Sequence, residues 1–121
     1  MIEQYGVVII GGGPAGLAAG IKAYESGEKS VLIIERDDKL GGILNQCIHN
    51  GFGLTRFKES LTGPEYADRF IAEAKKRDIK IFTGTTVLSL TKEKIVTAIN
   101  EEKGVFQIAA KAVILAMGCR E

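Results

Sequence analysis

Val7-Val8-Ile9-Ile10-Gly11-Gly12-Gly13-Pro14-Ala15-Gly16-Leu17-Ala18-Ala19-Gly20 begins on four branched apolar residues, breaks at three glycines and a proline, and continues in small helix-compatible residues. Strand, tight turn and helix in that order predict a dinucleotide cradle when a second landmark is added. Val31-Leu32-Ile33-Ile34-Glu35 supplies it, an apolar strand that ends in an acid about 20 residues beyond the glycines.

Each residue type has a physical reason. Gly11 permits the tight exit from the strand, Gly13 lets the main chain approach a pyrophosphate, and Gly16 lets the helix lie near the strand. Pro14 falls where a helix has no use for an N–H. The free N–H groups and positive dipole end of the helix then face the diphosphate, so backbone rather than lysine does the binding. Glu35 can accept hydrogen bonds from ribose hydroxyls and repels a 2′-phosphate, favouring FAD or NAD over NADP, while Arg36 softens that exclusion.

Tyr5 to Ile21 carries no charged residue, which raises the competing reading of a membrane span. Gly11-Gly12-Gly13-Pro14 breaks the run in its middle, and a spanning helix needs roughly 20 apolar residues without such a break. A secretory signal fits no better, because Glu3 stands where a basic start is expected and no small-residue cleavage site follows.

The 121 residues are enough for one domain and its core. Sixteen basic residues against fifteen acidic ones leave a net charge of +1, which offers no electrostatic case for nucleic acid or an anionic membrane. The two cysteines, Cys47 and Cys119, stand in no metal-ligand spacing and are too sparse for a disulfide framework, so a reducing, cytoplasmic setting is expected.

Along the chain, a strand over about 5–10 leads to a helix over about 14–27 that Ser26-Gly27-Glu28 ends. Val31–Ile34 is predicted as a parallel strand covered on both faces. Residues 37–57 show no clean period and read as a functional loop. Thr62-Gly63-Pro64-Glu65 matches a capping box for a helix over 64–77, with Ala67, Phe70, Ile71 and Ala74 on one face. Lys75-Lys76-Arg77 is a solvated last turn favourable to the helix dipole rather than a binding patch. A short strand at 80–83 ends at Gly84. Segments at 86–91, 94–100 and 104–110 form an antiparallel meander, with Glu101-Glu102-Lys103-Gly104 as its last turn. Ala112-Val113-Ile114-Leu115-Ala116 is expected as a further, separate buried parallel strand. These elements make an α/β domain.

The order of glycine fingerprint, acid after the second strand, Gly41-Gly42 pair, meander and Ala116-Met117-Gly118 strand end resembles the first half of the FAD domain of the two-dinucleotide-binding-domain flavoproteins, the family that includes the pyridine nucleotide-disulfide oxidoreductases. The resemblance covers essentially the whole chain and implies a Rossmann-like three-layer FAD-binding domain with a parallel sheet and an antiparallel β-meander. Leu40-Gly41-Gly42-Ile43-Leu44-Asn45-Gln46-Cys47-Ile48-His49-Asn50-Gly51-Phe52-Gly53 is, more particularly, similar to flavoprotein subunits associated with glycerol-3-phosphate dehydrogenases. By that resemblance Gly11, Gly13, Pro14, Ala15 and Gly16 line the FAD pyrophosphate. Glu35 and Arg36 face the adenosine ribose, Gly41 and Gly42 run close to the flavin, and Val87 offers backbone to the adenine. Ala116, Met117 and Gly118 stand where the family has Ala-Thr-Gly, so the threonine hydroxyl contact is missing.

The resemblance also implies parts that residues 1–121 do not contain, namely an NAD(P)-binding domain and a second FAD segment. The chain is therefore expected to be the amino-terminal part of an FAD/NAD(P)-binding domain, excised or truncated from a longer enzyme. The disulfide reductases carry a redox cysteine pair after the Gly-Gly, whereas Cys47 is the single cysteine of that region, so dithiol chemistry is not expected.

Cys47 as a thiolate beside the flavin and His49 as a proton donor are the two catalytic candidates. A buried packing cysteine and a structural histidine are the competing readings. They lack the two further ligands of a zinc site, and no metal is expected. Asn45, Gln46 and Asn50 suit the polar edge of an isoalloxazine, with Gln46 the favoured contact, or are ordinary loop residues. The function implied is the FAD-binding part of an oxidoreductase that passes electrons between NAD(P)H and a partner dehydrogenase flavoprotein subunit or small acceptor. Two alternatives stay open: an NAD-binding dehydrogenase domain, and a non-catalytic, self-associating nucleotide-binding fragment.

Overall fold

The computed structural model describes residues 2–38, 40 and 63–117. Strand β1 (Glu3–Ile10) runs into helix α1 (Pro14–Glu25) and strand β2 (Val31–Ile34). Helix α2 (Gly63–Lys76) and strands β3 (Lys80–Phe82), β4 (Thr86–Leu90), β5 (Ile95–Asn100) and β6 (Gly104–Leu115) follow. All six strands share one sheet in the order β3-β2-β1-β6-β5-β4.

The apolar run 7–10 sits at the centre of the parallel part. Val7 to Ile10 pair in register with Val31 to Ile34 on one side and with Ala112 to Leu115 on the other. β2 in turn pairs with β3. β4 and β5 are antiparallel, and β5 is antiparallel to the first half of β6.

Glycine and serine stop α1 where the sequence requires it. Ser26 caps the helix, and Gly27 follows at φ +115°, a conformation that side chains resist. The capping residue foreseen for α2, Thr62, lies outside the described residues, as does the Ala67 side chain. Phe70, Ile71 and Ala74 do face the core together. Lys75 and Lys76 are exposed as expected. Arg77 does more than solvate: it bridges Glu25 of α1 at 2.8 Å and Glu73 at 3.5 Å, tying the two helices.

The sheet buries a different cluster on each face. On the helix side Ile9, Val31 and Ile33 pack with Leu17 and Ile21 of α1 and with Phe70 and Ala74 of α2. On the other side Val8, Ile10, Leu32 and Ile34 pack with Val96 and Ile108 of the meander. Phe106 of β6 reaches edge to face onto Phe82 of β3, with ring centroids 6.0 Å apart. Residues three strands apart in the sheet meet only if the meander curls across this face, which makes it the third layer of the helix, sheet and meander stack. Lys103, in the β5–β6 turn, ties that layer down through Glu3 at 3.3 Å and over the Phe82 and Phe106 rings.

Two expectations change. The segments 104–110 and 112–116 are one continuous strand. Nothing in Gly104 to Leu115 breaks extended backbone after its first residue, and β6 pairs with β5 through Ala109 while pairing with β1 from Ile108 onward. The second half of that strand is also not buried. Ile114 is 37% and Leu115 60% exposed, because α1 and α2 roof β1 to β3 and leave this part of β6 open. Alternation fails at one further place. Gly6 and Val7 both donate to the Ser30 carbonyl at 3.0 Å, a bulge-like doubling that lets Tyr5 and Val8 face the same cluster.

Among the described residues no helix is long and apolar enough to cross a membrane.

Candidate functional site

The glycine segment leaves β1 between the ends of β2 and β6, where a mostly parallel sheet offers its ligand crevice. Gly11 adopts φ +121° and donates its N–H to the Ile34 carbonyl at 2.8 Å. A Cβ on Gly11 would stand 2.5 Å from the Ala116 carbonyl oxygen, and one on Gly16 would overlap the carbonyl of Gly11. Both positions therefore need glycine, one to let the turn pass the end of β6 and the other to let the helix start against the turn. The close seat of α1 on the sheet itself rests on Gly20, whose Cβ would come 3.0 Å from Ile33 and 3.2 Å from Ile9. Sequence reasoning missed it, although its spacing of four from Gly16 marks the same helix face.

Gly13 is the N-cap of α1 and gives it no side-chain cap, and Pro14 occupies the first turn. Leu17 donates its N–H to the Gly13 carbonyl at 2.9 Å. The N–H groups of Ala15 and Gly16 precede it, and they are the donors an anion at this helix end would use.

Glu35 is 7% exposed and fixed on every side. Its Oε1 accepts from the Gly12 N–H at 2.8 Å and its Oε2 from the Asp37 N–H at 2.6 Å. Its backbone N–H donates to the Phe82 carbonyl at 2.8 Å, and its carbonyl accepts from the Thr85 N–H at 3.0 Å. Thr85 is itself buried, donating its hydroxyl to the Thr83 carbonyl and accepting from the Asn100 side-chain amide at 3.1 Å. Sequence reasoning gave Glu35 a ribose to hold and missed this internal use, because the partners are backbone groups with no side-chain signature. It missed Thr85 for the same reason.

A carboxylate has about four lone-pair sites, of which the described residues take two. The described residues thus leave acceptor capacity for the vicinal hydroxyls of a ribose and fit a nucleotide. The turn, where Gly11 and Gly16 leave no room for a Cβ, delivers the chain to the N-terminal N–H groups of α1, an arrangement that fits the diphosphate.

The other predicted site residues occupy different surroundings. Ala15 and Arg36 are exposed on either side of the glycine segment, and Ala116 is pinned to it by its N–H on the Ile10 carbonyl at 2.8 Å. Val87 turns its side chain toward the meander-side core. Met117 is 64% exposed beside the cradle. Gly41, Gly42, Asn45, Gln46, Cys47, His49, Asn50 and Gly118 lie outside the described residues. An open groove of about 440 Å³ beside Gln4, Tyr5, Glu28, Ser30 and Lys111 lies at the amino end of β1, about 20 Å along the strand from the glycines. It has no geometric link to them.

A parallel sheet carrying a glycine-lined helix start and a buried acid at the end of its second strand defines a Rossmann-like dinucleotide-binding unit. Comparison with known proteins narrows the class. The chain belongs to the pyridine nucleotide-disulphide oxidoreductase family, whose model matches residues 5–121. It is 34% identical over 120 residues to a ferredoxin–NADP reductase of Streptococcus pneumoniae, covering 98% of this chain and 36% of that protein. It is 30% identical over 122 residues to the hydrogen cyanide synthase subunit HcnB of Pseudomonas protegens, covering 94% and 24%. The crystal structure of an L-proline dehydrogenase from P. horikoshii superposes with a TM-score of 0.78 at 28% identity, over 98% of this chain and 24% of that one. The chain thus spans roughly a quarter to a third of the length of these relatives.

Proposed function

We propose that this chain is the FAD-binding part of a flavin-dependent oxidoreductase that moves electrons between NAD(P)H and a partner protein or small acceptor. The observation that carries the reading is the pairing of a glycine turn closed to a Cβ at Gly11 and Gly16 with a buried carboxylate at the end of β2 that backbone N–H groups hold. Ala15 and Gly16 N–H groups would hold the diphosphate, Glu35 the adenosine ribose and the Val87 backbone the adenine. Gly41, Gly42 and Gln46 are proposed for the flavin side, with Ala116, Met117 and Gly118 at the strand end. When bound, the flavin supplies the two-electron chemistry, and the protein contributes position and electrostatics. Glu35 would accept both ribose hydroxyls while its carboxylate disfavours a 2′-phosphate.

The electron partner is proposed to be a dehydrogenase flavoprotein subunit. The 40–53 segment supports this, and one relative is itself described as a subunit. A cytoplasmic setting is supported by the low cysteine density. The test is thermal shift against FAD, FMN, NAD and ADP. A ligand held through the diphosphate should stabilise the fold by about 2.7 kcal/mol at a hundredfold excess over its Kd. FAD and ADP should act, and FMN, which lacks the diphosphate, should not. No shift with FAD or ADP overturns the reading.

A further inference from the structure

We propose that Glu35 is the positioning residue of the cradle, holding the glycine turn and the β3–β4 turn in their ligand-accepting arrangement before any ligand arrives. This deepens, and rests on, the reading of the glycine segment as a dinucleotide site. Three chain segments converge on this one residue. Its Oε1 holds the glycine turn through Gly12, its Oε2 holds the exit of β2 through Asp37, and its main chain holds Phe82 and Thr85. Asp37 extends the set, since its carbonyl accepts from the Gly84 N–H at 2.8 Å. The segments proposed to meet the diphosphate and the adenine are therefore spaced by a single side chain and its own peptide.

A carboxylate this buried, with no cation bonded to it among the described residues, is stable only if donors replace its water. Two backbone N–H groups do so, helped by the positive end of α1, which starts two residues beyond Gly12. Charge-assisted bonds of this kind are about twice as strong as neutral ones, so they order the turn at no cost to a later ligand. Leu40 closes the outer side: a Cβ on Gly12 would meet its Cδ2 at 2.5 Å. A side chain at Gly12 would thus displace the Leu40 tip and crowd Glu35, whose Cβ stands 3.0 Å from that point.

The test is amide hydrogen exchange on the ligand-free chain, read by residue. Gly12 and Asp37 N–H should be protected in the wild type although neither belongs to a helix or a strand. In Glu35→Gln the side-chain amide must set its NH₂ against one of the two N–H groups. At least one of Gly12 and Asp37 should then exchange about tenfold faster or more, as expected for losing a charge-assisted bond, while Val96 and Ile108 in the meander stay unchanged. Glu35→Asp keeps the charge but is one methylene too short to reach both donors, and it should show the same local loss. Inorganic pyrophosphate separates positioning from ribose contact. Its affinity should fall in both variants, although removing a negative charge in Glu35→Gln would by itself raise it.

Unprotected Gly12 and Asp37 in the wild type would overturn the proposal without any variant. So would variants that weaken ADP binding while leaving pyrophosphate affinity and amide exchange as in the wild type, since Glu35 would then act on ribose alone. A wild-type chain that binds neither FAD nor ADP would instead overturn the dinucleotide reading, and exchange in the ligand-free protein would still decide what Glu35 holds.

Discussion

β2 and the second half of β6 flank β1 on either side, both parallel to it, both apolar, and yet they end in opposite environments. Val31 to Ile34 are 0–2% exposed, whereas Ile114 and Leu115 are 37% and 60% exposed. β2 lies between β1 and β3, whereas among the described residues Ala112 to Leu115 pair with β1 alone, β5 having left β6 at Ala109, so the difference lies both in the missing strand neighbour and in what covers the faces. α1, α2 and the meander seal β2 from both sides. The glycine turn is held on both flanks, but differently. Toward β2 it is held by bonds from Gly11 to Ile34 and from Gly12 to the Glu35 side chain, and toward β6 by the Ala116 N–H on the Ile10 carbonyl at its start and by the close approach of Gly11 to Ala116. An apolar run in a parallel sheet guarantees neither a second strand partner nor a roof.

The largest effect expected from this contrast is at Ile33, which is fully buried between β1, α1 and the α2 side of the core. Ile33→Ala should lower unfolding free energy by about 3 kcal/mol, measured by urea denaturation. A cost below about 1 kcal/mol would mean that the helix layer is loosely packed and that β2 and β6 differ less than their burial indicates.

Gly11→Ala probes the packed side of the turn. The new Cβ adds strain at φ +121° and meets the Ala116 carbonyl, for an expected loss of about 2 kcal/mol. Because the displaced group is backbone, the turn should shift from Ala116 while the Gly12 bond to Glu35 survives. Gly12 amide exchange should therefore change less than that of Gly11. Equal changes at both would show that the two sides of the turn are not independent.

Much of this was legible beforehand. Four consecutive branched residues at 31–34, the Gly11-Gly12-Gly13-Pro14 break and the acid at 35 each carry one meaning in this order, and the fold followed from them. What stayed hidden depends on backbone groups, which have no letter of their own. Gly12 and Asp37 satisfy Glu35 through main-chain N–H, and Ser30 accepts two N–H groups at the bulge beside Gly6. The division of 104–116 into two strands failed because Ala109-Ala110-Lys111 reads as a boundary, although no glycine or proline stands there and pairing simply passes from β5 to β1. Exposure of Leu115 depends on the helix layer, about which its own neighbours in sequence say nothing.

Tyr5 sharpens the comparison on the β6 side, where it pairs with Ala110. Its phenol is pushed up from 10.0 to about 12, first by burial and then by its hydrogen bond to Glu3 at 3.1 Å and that carboxylate's charge. The folded state holds this proton more tightly than the unfolded chain. Its stabilising share is fully present below pH 10 and is lost as pH rises toward 12. In Tyr5→Phe that part of the alkaline loss should disappear, seen as a shallower fall of stability over this window and as one fewer late step in the phenolate absorbance titration. Amplitude lost near pH 10, and not late in the titration, would mean that Tyr5 ionises like a surface tyrosine and that the β1–β6 seam is open at this end as well.

The smallest effect belongs to Leu115. At 60% exposure it loses little solvent-excluded surface on folding, so Leu115→Ser should cost about 0.5 kcal/mol or less, several-fold below Ile33→Ala in the same denaturation assay. Its neighbour across the ladder, Ile10, is 5% exposed and belongs to the meander-side core, so the substitution reports on the roof over β6 and not on strand pairing. A cost near that of Ile33→Ala would mean that Leu115 is covered in solution, and the contrast between the two flanks of β1 would then fail. A small cost, together with an unshifted FAD response, would show that the cradle draws its rigidity from the β2 side, where Glu35 and Ile34 hold it, and needs from β6 only the Ala116 backbone.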